Sequence, residues 1–157
     1  MTGEAPRLEL ESFLPYRLNV LAEVVSQSLA RLYSQRYGLS IAEWRVVATL
    51  GQYERMTATA ICTHSHMHKT KVSRAVTGLV ERGLVERVAN SQDLREAFLM
   101  LTADGQRVYD EFVPEAVAFD AGLTEGMGEM ERGLIEATIT RLIERSQALS
   151  ATLGEDD

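Results

Sequence analysis

An amphipathic stretch that stops at a glycine and runs straight into a hairpin constrains this chain more than any other feature. Over about residues 69–82, Val72, Val76, Leu79 and Val80 fall within roughly one 100° sector of a helix, while Thr70, Arg74 and Thr77 lie opposite, with Lys71 beside them. Gly83 terminates the helix, because glycine enters the left-handed conformation without steric cost. Two short strands follow, residues 85–89 and 97–101, joined by the polar turn Asn90, Ser91, Gln92 and Asp93. Few architectures accommodate such a helix, with one face for a core and one left free, when a hairpin follows at once.

The flanking segments narrow the choice. Leu14–Tyr37 reads as a helix in which Pro15 suits the first turn, Leu18, Leu21, Val25 and Leu32 recur at helical spacing, and Gly38 is the stop. Ser40 and Glu43 form a capping box for a second helix with Trp44, Val47 and Ala48 in its buried stripe. Thr57 caps a short third helix holding Ala60 and Ile61, which ends between His64 and Met67. Third helix, amphipathic fourth helix and hairpin make a winged helix-turn-helix over residues 40–102. Thr102 then caps a helix from Ala103 that carries Val108, Phe112 and Val117, and Pro114 is expected to bend it. Gly122, Gly126 and Gly128 break the chain before a final helix, starting at Gly128, with Ile135, Ile139, Leu142 and Ile143 on one face. Residues 12–38 and 103–150 are too apolar on one side for a small monomer, so they are expected to pair with their counterparts in a second chain. The fold class predicted is mainly α with a small β wing, a single chain unit of winged helix-turn-helix plus helical dimerisation region.

Charge decides whether an acidic protein can still carry a basic surface. The 157 residues have a net charge of -7, but residues 1–63 are neutral, 64–107 carry +2 and 108–157 carry -9. Within the middle segment Lys69, Lys71 and Arg74 lie in a run without any acid, so a local basic surface survives. The single cysteine, Cys62, excludes an internal disulfide and fits a reducing compartment. No apolar run approaches the roughly 20 residues needed to span a bilayer, and the start lacks a basic segment followed by an apolar one, so a cytoplasmic protein without membrane contacts is expected. The histidines crowd into one basic segment and there is neither a nucleophile elbow nor a phosphate-binding glycine loop. No catalytic residue, cofactor or metal is therefore predicted.

At three places these residues resemble the MarR family of bacterial winged-helix regulators. Residues 93–102, DLREAFLMLT, fit that family's wing pattern DxRxxxLxLT at each defined position, and Gly105 continues it. Upstream, LSIAEWRVVATL looks like its second helix and KVSRAVTGLVERGLVER like its recognition helix running into the first wing strand. The likeness covers roughly residues 14–149. It departs at Leu94, where many relatives have a second arginine, and at Gly128, where they often have a serine or threonine cap. Cys62 stands where relatives often carry alanine, which reads as a small packing residue.

The resemblance implies a homodimer on double-stranded DNA with a pseudo-palindromic operator. A helix fits the major groove, where its N-terminal residues reach base edges. His68, Lys69, Thr70, Lys71, Ser73, Arg74 and Thr77 are the expected contacts on the fourth helix. Arg95 on the wing suits the narrow, electronegative minor groove, with Asp93 holding it extended; an ordinary hairpin ion pair is the alternative. Relatives are commonly repressors released by small aromatic acids or their thioesters bound between the dimer helices and the reading head. By position, Tyr16, Arg17, Trp44, Arg45 and Tyr109 line such a pocket, and a ligand wedged there is expected to change the spacing of the two heads. Two other readings stay open: a redox- or metal-responsive regulator of the same fold, using Cys62 or the cluster His64, His66 and His68, and a winged-helix protein-interaction module without DNA binding.

Overall fold

The computed structural model describes residues 7–153. The elements run α1 (Leu14–Tyr37), α2 (Ile41–Tyr53), β1 (Arg55–Thr57), α3 (Ala58–Ser65), α4 (Lys69–Glu81), β2 (Val85–Val88), β3 (Phe98–Leu101), α5 (Ala103–Leu123) and α6 (Glu129–Leu153). The chain divides into two units, residues 1–116 and 117–157.

Helix ends follow the local chemistry of the sequence. Gly38 closes α1 in the left-handed conformation, φ 63°, with its N–H donating to the Ser34 carbonyl. The Ser40 hydroxyl accepts from the Glu43 N–H while the Glu43 carboxylate accepts from the Ser40 N–H, a complete capping box. Thr57 caps α3 by accepting from the Ala60 N–H. Thr102 does two things: its hydroxyl accepts from the Gly105 N–H at 3.1 Å and donates to the Gly83 carbonyl at 2.6 Å, fixing the start of α5 to the end of the α4 turn. At α6 the first residue is Glu129, and the Gly128 N–H donates to Glu131 Oε2 at 2.9 Å. A glycine can stand there because the carboxylate three residues on supplies half of a capping box.

The hairpin strands sit within one residue of their expected ends, but the sheet has a third member. Its order is β1-β3-β2, all antiparallel, with Met56 opposite Leu99 and Arg87 opposite Leu99 on the other side. The sequence reading lacks β1 because three residues, the first an arginine, show no alternation. Its pairing is tertiary, helped by the Arg55 guanidinium stacked 4.6 Å from the centroid of the Phe98 ring. At Pro114 the expected bend is not a break. α5 continues through the proline as one helix.

The core lies in the first unit. Val46, Val47 and Leu50 of α2, Ile61 of α3, Val72, Val76 and Leu79 of α4, and Val85 and Leu99 of the sheet are all fully buried. Trp44 stacks on Tyr33 at 5.4 Å between centroids and meets Phe112 edge-on at 4.0 Å, so an aromatic cluster ties α2 to α1 and to the middle of α5. Burial pushes the Tyr33 hydroxyl above the ordinary tyrosine range, against the opposing charge of Arg45. Outside this core much apolar surface is uncovered. Leu14, Leu18, Leu21 and Val24 are exposed on α1, and α6 buries no residue while presenting Ile135, Ile139 and Ile143. Among the described residues no helix is long and apolar enough to cross a membrane.

Candidate nucleic-acid interface

α3, a short turn and α4 form the helix-turn-helix. His66 supplies the left-handed residue that ends α3, φ 54°, and His68 Nδ1 accepts from the Thr70 N–H at 3.2 Å, capping α4. The buried side of α4 is Val72, Ala75, Val76 and Leu79, with Ala75 taking the more interior place expected of Val80. Packed against α2 and α3 on that side, the helix leaves Lys69, Thr70, Lys71, Ser73, Arg74 and Thr77 exposed. Thr77 spends its hydroxyl proton on the Ser73 carbonyl one turn back, at 2.9 Å.

The charge on this face runs against helix stability. The first turn of α4 contains no acid, yet Lys69 and Lys71 sit where the helix dipole is positive and a cation is unfavourable by a few tenths of a kcal/mol or more. Among the described residues, the side chains of Lys71 and Arg74 have neither a hydrogen bond nor an ion pair. The start of α4 therefore concentrates cations at the end of the helix where the dipole does not favour them.

The hairpin tip is organised from within. Asn90, itself buried, accepts with Oδ1 from the N–H groups of Gln92 and Asp93 at 3.0 and 3.1 Å, an Asx turn that sets the loop. Asp93 Oδ1 in turn accepts from the Arg95 N–H at 3.0 Å and from its Nε at 3.2 Å. The Arg95 side chain nevertheless remains 90% exposed, and Leu94 beside it 92%. The Thr59 hydroxyl donates to Glu96 and so ties the base of the wing to α3. The sequence places Asn90 in the turn but leaves out its anchoring role, although an Asn three residues before an Asp in a polar turn is a readable signal. It also missed Arg82, for which no sequence signal exists. From the end of α4, Arg82 donates to the Tyr37 and Gly38 carbonyls that close α1 and lies 3.9 Å from Glu43 of the α2 capping box.

The three histidines have separate tasks rather than a common centre. His64 Nε2 shares a hydrogen bond with the Tyr53 hydroxyl at 3.1 Å, His66 turns the chain, and His68 caps α4. Cys62 is half-buried in a cleft of about 230 Å³ between α3, α4 and β2, whose walls include Lys69, Ser73, Arg87 and Glu96.

A larger cavity, about 920 Å³, opens between α1, α2 and the start of α4. Of the five residues expected around a ligand, Arg45 alone lines it, together with Glu23 and Ser26 of α1 and Lys71 and Arg74 of α4. Trp44 faces the aromatic core, because its indole is the one surface large enough to fill the gap between Tyr33 and Phe112; it also borders a cleft of about 280 Å³ with Arg45 and His64. Tyr109 packs its ring on Gly51, where any side chain would collide with it. Tyr16 and Arg17 lie on the exposed surface of α1.

Comparison with known proteins agrees with this geometry. The family model described as MarR family matches residues 37–96, which is the head from the end of α1 to the wing. The HTH-type transcriptional regulator FarR of Neisseria gonorrhoeae is 23% identical over 109 residues, 69% of this chain and 75% of that protein. A MarR/EmrR family transcriptional regulator from Acinetobacter sp. ADP1 superposes with a TM-score of 0.82 at 24% identity, covering 89% of this chain and 99% of its own. A MarR family regulator from Silicibacter pomeroyi gives 0.76 at 26% identity over 89% and 96%. A head with the family's pattern, a wing carrying its aspartate and arginine, and flanking helices that superpose over nearly the whole of a solved relative point the same way: residues 37–96 match the MarR family, and the chain is similar over most of its length to winged-helix transcriptional regulators of that family.

Proposed function

We propose that this regulator is a homodimeric repressor that binds a pseudo-palindromic operator and is released by a small aromatic acid or its thioester. The observation that carries the DNA reading is the exposed face of α4, where Lys69 and Lys71 stand without a neutralising acid at the positive end of the helix dipole and Arg74 follows one turn on. Thr70, Ser73 and Thr77 share that face, with His68 at its edge as the cap. On the wing, the Asp93 carboxylate presents Arg95 to a minor groove. A protein of the same fold from Listeria monocytogenes, 16% identical with a TM-score of 0.79, was solved with a 26mer DNA, which supports the DNA arm of this reading.

Dimerisation is supported by the uncovered apolar residues of α1 and of α6, which suit a second copy of the chain. The repressor assignment draws on the HTH-type transcriptional repressor YetL of Bacillus subtilis, 23% identical over 110 residues. For the ligand, the cavity beside Arg45 is within the size range of small-molecule sites. Two proteins of this fold point to ligand chemistry: Bordetella bronchiseptica BpsR, whose DNA binding is regulated by 6-hydroxynicotinic acid, and NadR, solved with 4-hydroxyphenylacetate. Tyr16, Arg17, Trp44 and Tyr109 lie outside this cavity, and Arg45 is the contact proposed for the acid group of the ligand.

The test is fluorescence anisotropy with a labelled duplex taken from upstream of the protein's own gene and a scrambled duplex of equal length. The expected result is binding to the upstream duplex at least about 10³ times tighter than to the scrambled one. Equal affinities for the two, or none for either, would reject sequence-specific regulation by this chain.

A further inference from the structure

One guanidinium stands where the C-terminal ends of two helices meet. Arg82 is the C-cap of α4, and its side chain crosses to the end of α1, where it donates to the Tyr37 carbonyl and, from Nη1 at 3.3 Å, to the Gly38 carbonyl. A helix leaves its last carbonyls unpaired and its C-terminus partly negative, so two such ends brought together repel unless a cation stands between them. Glu43 closes the junction from α2: its Oε2 lies 3.9 Å from Arg82 Nη1, and a Cβ on Gly78 of α4 would come within 2.8 Å of its Oε1. Among the described residues no other hydrogen bond or ion pair joins α4 or its cap to α1. The same last turn of α1 is bound to α5, where Arg36 Nη1 donates to Glu115 Oε1 at 2.9 Å and the Tyr37 hydroxyl donates to Glu111 Oε2 at 3.0 Å.

We infer that Arg82 is a positioning residue for the reading helix: by pinning the C-terminal end of α4 to α1, and through α1 to α5, it sets the angle at which Thr70, Lys71 and Arg74 are offered to base edges. This rests on the operator-binding reading above. The buried contacts of α4, through Val72, Ala75, Val76 and Leu79, are apolar and non-directional, so they hold the helix against the head without fixing its tilt. A forked guanidinium on two carbonyls is directional. Base readout depends on that direction, because recognition groups must be held to within about 0.5 Å and 10–20°. Phosphate attraction does not. Arg82 itself is far from the start of α4, about 20 Å along 13 residues, which exceeds the screening length of about 8 Å at physiological salt.

The experiment compares the full chain with Arg82→Ala and Arg82→Lys on the labelled upstream and scrambled duplexes across a salt series, with denaturant unfolding of each protein alongside. Arg82→Ala should bind the upstream duplex about tenfold or more weakly and the scrambled one within about twofold of the original, since a displaced helix keeps its cations but loses its register on the bases. The slope of log K against log salt should stay the same on the scrambled duplex. Arg82→Lys keeps a cation and donors between the two helix ends and should recover most of the lost discrimination. Should Arg82→Ala fail to fold, Arg82→Gln carries the same comparison. An unchanged ratio between the duplexes, a loss that only follows the unfolded fraction, or a Lys variant no better than Ala would overturn the positioning role. So would equal losses on both duplexes with a slope lower by about 0.9, which would make Arg82 a phosphate contact. If the original protein binds both duplexes equally, the operator reading falls and the positioning role falls with it.

Discussion

The two units of this chain solve the problem of apolar surface in opposite ways. Among the described residues, the first unit encloses a core of sixteen buried hydrophobic side chains from α1 to α5, the sheet and the turns between them. In residues 117–157, α6 runs for 25 residues without burying one of them, although Leu134, Ile135, Ile139 and Ile143 recur along it. Burial is worth about 25 cal/mol per Å² of apolar surface removed from water. A helix that forgoes this term along its whole length has little tertiary packing to hold it, and packing supplies most of a helix's stability. The head from α2 to β3 is therefore legible as a finished object, whereas α6, like the uncovered face of α1, is half of one.

The largest effect should come from charging the uncovered face of α6. With Ile135→Asp and Ile139→Asp together, the protein should sediment as a monomer at micromolar concentration and lose about a hundredfold or more in operator affinity, because two linked heads bind with an avidity of 10² or greater. Near-ultraviolet circular dichroism of the Tyr33, Trp44 and Phe112 cluster should persist. A double variant that stays dimeric would break the comparison, since the apolar face of α6 would then be mere solvated surface.

Alanine substitutions sharpen the same contrast at lower amplitude. Leu79→Ala or Ile61→Ala, both at fully buried positions, should each cost about 2 to 5 kcal/mol in denaturant unfolding through lost burial and the cavity left behind. Within the Ile135→Asp/Ile139→Asp background, Leu134→Ala should cost no more than about 0.5 kcal/mol, as for an ordinary surface site. Equal costs at Leu79 and Leu134 in that background would mean that α6 packs within its own chain.

How far the sequence could be read follows from where each signal resides. The capping box of Ser40 and Glu43, the cap at Thr57 and the stop at Gly38 act over three or four residues, and each is visible in the string itself. The amphipathic face of α4 is equally local, which is why its exposed residues coincide with those expected to meet DNA. β1 is not local: Arg55, Met56 and Thr57 become a strand only because Phe98, Leu99 and Met100 arrive beside them. The large cavity is the least local feature of all. A cavity formed where α1 crosses the starts of α2 and α4 draws Glu23, Ser26, Lys71 and Arg74 from far apart in sequence, and only Arg45 was placed there in advance. Trp44 was assigned to the same wall by its position on α2, but its large ring is needed between Tyr33 and Phe112.

Within the head, α4 and the wing should also differ from each other. Arg74→Ala removes an exposed guanidinium one turn beyond Thr70, expected in the major groove of each half-site, with half-sites about 10 bp apart in a dimer. The loss should be about 1 to 3 kcal/mol per base contact, together with relaxed choice of base at that position, measured as affinities for a set of single-base operator variants. A uniform loss on every variant would show that Arg74 meets phosphate instead.

Arg95→Ala should give the smallest change and a different kind of change. The guanidinium stands at the hairpin tip, held by Asp93 through Nε while most of its surface faces solvent, so its salt bridge contributes little to folding and its charge remains available. In a minor groove it reads electrostatic potential and width rather than base identity. Its removal should therefore weaken specific and scrambled duplexes together and reduce the slope of log K against log salt by about 0.9 for each phosphate no longer neutralised. Asp93→Ala keeps the charge but frees the side chain and the backbone N–H, so it should lower affinity while leaving that slope near its original value. The measurement is anisotropy on both duplexes across a salt series. An Arg95→Ala protein with unchanged affinity and slope on every duplex would place the wing away from DNA, and the Asp93–Arg95 pair would then be an ordinary hairpin ion pair.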